Sequence, residues 1–128
     1  MNPNLTRKIV AQHPTLLSLP KRSVVAHRGI ECGDGWYDLI DDTLSRIEQH
    51  CATNGSGLPA ITQIKEKFGS LRIYLTPTTD AFMSILTAAE RKSATICEQC
   101  GRPGTLVSAP FPHATCGSNH NGSRNKEL

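Results

Sequence analysis

The feature that most constrains this chain is a pair of cysteines, Cys97 and Cys100, which are separated by two residues and run into the turn-forming segment Gly101–Gly104. Redox pairs of the thioredoxin type open a helix after a strand, whereas this pair follows a predicted helix and enters a turn. The pattern therefore favours a knuckle, a tight turn in which both thiolates point towards one metal ion.

A structural zinc ion takes four ligands in a tetrahedron, so the knuckle predicts a second pair of ligands. Cys116 follows Cys100 after fifteen intervening residues, and His120 follows Cys116 after three. His113 is the alternative source of the fourth ligand. We predict one structural Zn²⁺ with these ligands: Cys97, Cys100, Cys116 and His120.

Two further cysteines, Cys32 and Cys51, lie outside this set. Five cysteines in a chain without a visible secretory signal argue against a disulfide framework. We interpret each of the two as a small, partly buried apolar residue. A nucleophile made of Cys32 and His27 would lack a third residue to orient it, so we predict that the protein is not an enzyme.

Size and composition predict one small domain. The chain has 128 residues, of which 38% are hydrophobic and only 5% aromatic, so we expect a small aliphatic core that a bound metal would help to stabilise. No apolar segment approaches the roughly 20 residues of a membrane span, and no signal peptide is visible. We predict a soluble, cytoplasmic protein.

Periodic apolar residues predict two main helices. Residues 33–51 carry one apolar stripe at helical spacing, with Trp36 at its start as a core residue and Asp34 as the N-cap. Residues 52–59 have the composition of a loop. A second helix is predicted within residues 76–93, with a Thr/Asp cap region at its start and cations in its last turn.

Residues 61–75 predict a β-hairpin with its turn at Gly69-Ser70. This turn pairs Phe68 with Leu71 and places Glu66 on the apolar face of the ribbon. A carboxylate is costly in such a place unless it has a partner, and the candidate partners are Arg28 and His27.

Together these patterns predict an α+β fold, in which a small antiparallel sheet or β-hairpin is packed by two main helices and followed by a C-terminal zinc-knuckle lobe. The predicted boundaries are 1–96 for the core, with a basic N-terminal segment at 1–30, then 97–120 for the zinc-binding lobe and 121–128 for a flexible tail.

Charge is unevenly distributed along the chain. The first thirty residues hold five cations and no acid, and the next thirty hold six acids and one cation. The basic segment could dock on the acidic helix within the monomer, or either of two charged faces could bind a partner. These faces are an acidic helix face that could mimic phosphate, with Asp38, Asp41 and Asp42, and a basic hairpin face, with Lys65, Lys67 and Arg72.

Four motifs stand out along the chain: ECGDGWYDLI at 31–40, IKEKFGSLRIY at 64–74, AAERKS at 88–93 and CEQCGRPGTL at 97–106. In these motifs the chain resembles a family of small hypothetical proteins encoded by tailed phages and prophages. The resemblance implies a host-directed accessory protein. The leading expectation is a non-enzymatic protein that inhibits or redirects a host protein or a defence complex, and anti-CRISPR inhibition is one such activity.

A nucleic-acid-binding zinc module is the alternative. Its basis is the basic hairpin face, where Tyr74 lies beside the cations, together with the basic N-terminal segment and the knuckle. The modest net charge of +3 and the scarcity of aromatic residues disfavour it.

Overall fold

The computed structural model describes residues 1–17, 28–108, 110–117 and 120. Over these residues the chain has the predicted α+β architecture, with helices packed on a β-hairpin and a Cys/His cluster beyond the last helix. The elements in chain order are α1 (Pro3–Gln12), a 3₁₀ turn (Asp34–Trp36), α2 (Tyr37–Asn54), β1 (Ala60–Lys67), β2 (Ser70–Thr76), α3 (Asp80–Ser93), β3 (Thr105–Val107) and β4 (His113–Thr115).

Helix α2 begins later than predicted. The 3₁₀ turn comes first, and α2 then starts at Tyr37 without a side-chain cap. The prediction that Asp34 is the N-cap is therefore wrong, and its carboxylate instead accepts a hydrogen bond of 2.6 Å from the backbone N–H of Asn2. The helix also runs into the predicted loop and ends at Asn54.

The apolar stripe of α2 is buried as predicted and forms the centre of the core. Trp36 has no exposed surface, and the stripe continues through Ile40, Leu44 and Ile47 at helical spacing. Helix α3 begins where the sequence predicts it, because the hydroxyl of its N-cap Thr79 accepts a hydrogen bond from the N–H of Phe82. The remaining core residues come from the other elements and include Leu5, Ile9, Ile61, Ile64, Leu71, Phe82 and Ala89.

The hairpin forms at the predicted place, but its turn lies one residue earlier. Phe68 and Gly69 occupy the two turn positions with φ of 53° and 83°, as a type I′ turn requires, and Glu66 pairs with Leu71. The predicted turn at Gly69-Ser70 is therefore wrong, as is the pairing of Phe68 with Leu71. Because the pairing changes by two residues, the side chains from Ile64 to Glu66 and from Leu71 to Leu75 keep their predicted faces. Phe68 leaves the apolar face for the turn, and a bulge between Ile61 and Gln63 brings Ile61 to the same face as Ile64.

The carboxylate of Glu66 has a partner, but the partner is the turn itself. Its Oε2 accepts a hydrogen bond of 2.7 Å from the N–H of Gly69. Arg28, one of the predicted partners, is exposed and forms no ion pair with Glu66 in the described part of the chain. The other, His27, lies outside the described residues.

Helix α1 docks on the acidic helix through one buried histidine. Nδ1 of His13 lies 2.8 Å from Oε1 of Glu48, and its Nε2 lies 2.6 Å from Oδ1 of Asp41. The N-terminal segment therefore packs on α2 within the monomer, as one of the two predictions has it. The acidic side chains of α2 contact His13, while Nζ of Lys8 lies 5.7 Å from the centroid of the Tyr37 ring. Residues 18–27, which hold part of the basic segment, lie outside the described residues, as does the predicted tail at 121–128.

Over the described residues, no helix combines the length and the apolar character needed to cross a membrane.

Candidate metal centre

Three thiols and one imidazole converge beyond the C-terminal end of α3. Their ligand atoms, which belong to Cys97, Cys100, Cys116 and His120, all lie within 4.8 Å of one another. Sγ of Cys100 lies 3.6 Å from Sγ of Cys116, and Nδ1 of His120 lies 3.8 Å from Sγ of both Cys97 and Cys116. The structure thus brings together the four residues that the sequence pattern selects.

These separations fit a single tetrahedral ion. Zinc bonds of about 2.3 Å to sulfur and about 2.0–2.1 Å to nitrogen, arranged at tetrahedral angles, place neighbouring ligand atoms about 3.5–3.8 Å apart. Cys97 and Cys100 are buried, while Cys116 and His120 are half-buried. Four protein ligands would complete the coordination of such an ion and leave no position for water or substrate.

The first ligand pair is held by the backbone of its own turn. The N–H of Gly101 donates to the carbonyl of Cys97 at 2.9 Å, and the N–H of Cys97 donates to the carbonyl of Arg102 at 2.8 Å. Gly101 has a φ of 80°, in the left-handed region that glycine enters without steric cost. A glycine directly after the second cysteine therefore lets the turn close around the ligand pair.

The second pair is delivered by the short hairpin of β3 and β4. Thr105 pairs with Thr115, so Cys116 leaves β4 next to the start of β3. Gly117 follows with a φ of 73° and turns the chain. The N–H of Glu98 donates to the carbonyl of Ala114 at 3.1 Å, which fixes the hairpin against the knuckle.

The alternative ligand His113 lies outside the cluster. Its Nδ1 is 2.8 Å from the backbone carbonyl of Phe111, and its ring packs against the Phe111 ring at 5.5 Å between centroids. The geometry therefore selects His120 as the fourth ligand.

Two glycines of the ECGDGW motif allow the core to approach the knuckle at backbone distance. A Cβ on Gly35 would lie 2.1 Å from the carbonyl oxygen of Cys97, and a Cβ on Gly33 would lie 2.3 Å from that of Glu98. Two hydrogen bonds join the core to the knuckle at this contact. The N–H of Gly35 donates to the backbone carbonyl of Glu98 at 2.7 Å, and the N–H of Gly33 donates to Oε2 of the Glu98 side chain at 2.9 Å. Sequence reasoning missed this docking surface, and the paired glycines before Trp36 are the signal that could have revealed it.

The KEKFG hairpin approaches the metal lobe from another direction. A Cβ on Gly69 would lie 2.5 Å from Cδ1 of Leu106 and 2.9 Å from the backbone nitrogen of His113. From the core side, Nε1 of Trp36 donates to the carbonyl of Ile96 at 3.0 Å, one residue before the knuckle. Three motifs that are separate in the sequence therefore pack together around the candidate metal centre.

The two remaining cysteines are buried in the core, as expected for small apolar residues. Cys32 is 8% exposed and Cys51 is 2% exposed. Burial raises the pKa of the Cys32 thiol to about 12, helped by the nearby carboxylate of Glu98. A thiol in this state is protonated at neutral pH, which disfavours a nucleophile at this position.

Several residues of the predicted charged faces are engaged within the chain. Asp41 contacts His13, as described above. Nε of Arg46 lies 2.9 Å from Oδ2 of Asp42, and Nε of Arg72 lies 2.9 Å from Oε1 of Glu90. The other three residues of these faces are exposed or half-exposed: Asp38, Lys65 and Lys67.

Comparisons with known proteins identify no relative. No protein-family model matches the chain, and no curated protein or solved structure matches it significantly. The resemblance to tailed-phage proteins therefore stays a prediction.

Proposed function

We propose that this protein is a non-enzymatic binding protein stabilised by one structural Zn²⁺. The observation that carries the proposal is the Cys₃His cluster, in which four protein ligands complete a tetrahedron. Catalytic zinc sites usually keep a position open for water or substrate, so a closed set supports a structural role. Thiolate and imidazole donors in a tetrahedron suit zinc better than the oxygen-seeking ions Mg²⁺ and Ca²⁺.

The resemblance to small tailed-phage and prophage proteins supports a host-directed role. In this proposal the protein acts in the host cytoplasm and inhibits or redirects a host protein or a defence complex, and anti-CRISPR inhibition is one form of that activity. Exposed aromatic side chains support binding to another protein, since Phe68 is 68% exposed and Phe111 is 64% exposed.

Elemental analysis tests the metal. We expect close to one zinc per chain in protein purified without added metal. His120→Ala should lose zinc to a chelator sooner than the wild type, whereas the matched control His113→Ala should retain it. A folded, monodisperse protein that contains no metal would contradict the proposal.

Affinity purification of the tagged protein from its bacterial host tests the binding function. We expect one host protein to co-purify in stoichiometric amount and to remain bound at high salt. Binding to arbitrary DNA or RNA that weakens steeply with salt would instead favour the nucleic-acid-binding zinc module, because neutralised phosphates release counterions.

A further inference from the structure

We propose that the outer edge of β2 and the groove between β2 and α3 bind an extended peptide of a partner protein, which adds to β2 as a further strand. This proposal rests on the binding function proposed above and assigns a surface and a ligand chemistry to it. We call this surface the strand–helix groove.

In the described part of the chain, β2 has no partner strand on the side away from β1. In an antiparallel pair, alternate residues direct their N–H and C=O groups towards and away from the partner strand. Leu71 points away, because its N–H donates to Oγ of Ser93 in α3 at 2.9 Å. Ile73 and Leu75 follow at two-residue spacing and point the same way. In the part of the chain that the structure describes, the outward backbone groups of these two residues have no hydrogen-bond partner.

The pairing of β1 gives an independent check on this direction. The carbonyl of Ile64 and the N–H of Glu66 are bonded to Glu31, on the side of β1 that faces away from β2. Ile64 lies directly opposite Ile73 in the hairpin. Because directly opposite residues of an antiparallel pair either both face each other or both face away, Ile73 must also direct its backbone groups outward.

Helix α3 runs beside the open edge and leaves a groove of about 270 Å³. This volume is close to the lower end of the range for ligand-binding clefts. Apolar side chains of the helix face the strand across it, and one of them, Met83, is 48% exposed. The ion pair between Arg72 and Glu90 joins strand and helix towards the end of the groove where Ser93 meets Leu71.

The chemistry of the groove selects an extended peptide. Unpaired backbone groups at two-residue spacing require donors and acceptors that repeat along a strand, and a helix has none to spare because it satisfies its own. Addition of a strand to a free sheet edge is an established mode of peptide recognition. Met83 and Leu86 favour apolar side chains on the peptide, and the mutual neutralisation of Arg72 and Glu90 creates no demand for a charged one.

A second copy of this chain is a poorer occupant. In every copy α3 lies alongside the β2 edge, as the contact between Ser93 and Leu71 shows. Antiparallel pairing of two β2 strands would bring both α3 helices to the same face of the new strand pair, so that two helices would flank it. A single added strand brings no second helix.

The test is selection from a phage-displayed library of random linear peptides on the immobilised, zinc-loaded full chain. Enriched peptides should carry apolar residues at alternate positions. Met83→Lys should weaken their binding, measured by fluorescence anisotropy, by at least about tenfold. The control Ser84→Lys, which changes an exposed neighbour outside the groove, should leave the affinity within about twofold.

Methylation of the peptide backbone gives a readout that does not depend on the fold of a variant. N-methylation of the peptide amides that face β2 should abolish binding, while methylation at the intervening positions should be tolerated. Absence of enrichment over an uncoated surface would overturn the proposal, as would binding that is insensitive to both Met83→Lys and methylation.

The outcome is separable from that of the proposed host function. Peptide binding without any co-purified host protein would support the groove and contradict the host-directed role. A host protein that co-purifies equally with wild type and Met83→Lys, together with no enriched peptide, would leave the host-directed role standing and overturn the groove.

Discussion

Phe68 holds a backbone conformation that its side chain disfavours. Its φ of 53° lies in the left-handed region, which costs an ordinary residue about 1–2 kcal/mol, and its ring is 68% exposed. Asn tolerates this position of a type I′ turn much better. We predict that Phe68→Asn raises the free energy of unfolding by about 1 kcal/mol in chemical denaturation. The control Phe111→Asn should bring no such gain. Nζ of Lys67 lies 5.7 Å from the centroid of the Phe68 ring, and a loss of stability in Phe68→Asn would show that this contact outweighs the strain.

Gly35 occupies a position where no other residue fits, since a Cβ there would lie 2.1 Å from the Cys97 carbonyl oxygen and 2.5 Å from the Gly101 nitrogen. Both neighbours are backbone atoms of the knuckle and cannot rotate aside. We predict that Gly35→Ala lowers the melting temperature and speeds zinc loss to a chelator. The matched control Gly57→Ala, whose Cβ would meet nothing within 4 Å, should change neither. Equal behaviour of the two variants would show that the lobe is not seated on the core as described.

The ligand residues were predictable because a knuckle is a local structure. The spacing of Cys97 and Cys100 and the glycine after them determine the turn whatever surrounds it. The choice between His113 and His120 could not be made from the local sequence. It depends on the pairing of β3 with β4, which places Nδ1 of His113 beside the carbonyl of Phe111. Gly35 was overlooked for the same reason, because the need for it arises from a contact with residues about sixty positions away.

At the scale of elements, α1 is held on α2 by a histidine between two carboxylates. His13 is 3% exposed, while the side chains of Asp41 and Glu48 are 36% and 33% exposed. We predict that His13→Leu lowers the free energy of unfolding by about 2 kcal/mol, less than for a fully buried ion pair because water screens both carboxylates. Adding Asp41→Asn and Glu48→Gln should recover part of the loss, since it removes the repulsion that His13→Leu leaves behind. No recovery would mean that packing alone explains the effect.

The charged faces of α2 and of the hairpin can be tested while the contacts of Asp41 and Arg72 are kept. The pair Asp38→Lys and Asp42→Lys spares Asp41, which binds His13, and the pair Lys65→Glu and Lys67→Glu spares Arg72, which binds Glu90. The change at Asp42 removes an exposed ion pair with Arg46, a kind of contact that contributes little to stability. If the acidic face mimics phosphate, the first pair should slow association with the host protein by about tenfold and the second should have little effect. If the protein instead binds nucleic acid, the hairpin pair should weaken binding more than the acidic-face pair. Binding by the hairpin variant should also depend less on salt than binding by the wild type. Equal tolerance of both pairs would place the interface away from both faces.

The helices were predicted more accurately than the hairpin turn. The apolar stripe of a helix such as α2 repeats over many residues, so the wrong N-cap at Asp34 does not affect the prediction for the rest of the helix. The hairpin turn depends on a choice between two adjacent positions, each of which contains Gly69. The contact of Gly69 with Leu106 and the hydrogen bond from its N–H to Glu66 accompany the observed register, and neither could be read from the local sequence.

At the scale of the whole molecule, the metal lobe packs against the core at two places. The knuckle contacts the 3₁₀ turn, and the β3–β4 hairpin contacts the turn between β1 and β2. The boundary predicted at residue 97 therefore marks a change of composition, while the packing is continuous across it. Metal loss should consequently affect the core, since metal binding and folding are linked wherever the ligands are ordered by the same structure.

The pH dependence of zinc binding reports how many thiols serve as ligands. Free cysteine thiols titrate near roughly 8.5. Burial raises the pKa of the Cys100 thiol in the metal-free protein, so this thiol gives up its proton when an ion binds. Binding therefore releases protons and weakens as the pH falls. Three thiolate ligands should make the apparent Kd rise by about a thousandfold for each unit of acidification, measured against a competing chelator.

Replacing one ligand residue gives a matched control for the pH dependence of the apparent Kd. In Cys116→Ser, two thiols remain and the apparent Kd should rise by only about a hundredfold per pH unit, from a weaker starting affinity. Cys51→Ser, which alters a buried thiol outside the cluster, should keep the thousandfold dependence of the wild type. A wild-type slope of about tenfold or less would mean that most of these thiols are not ligands, and the closed Cys₃His site, on which the structural role of the metal depends, would then be wrong.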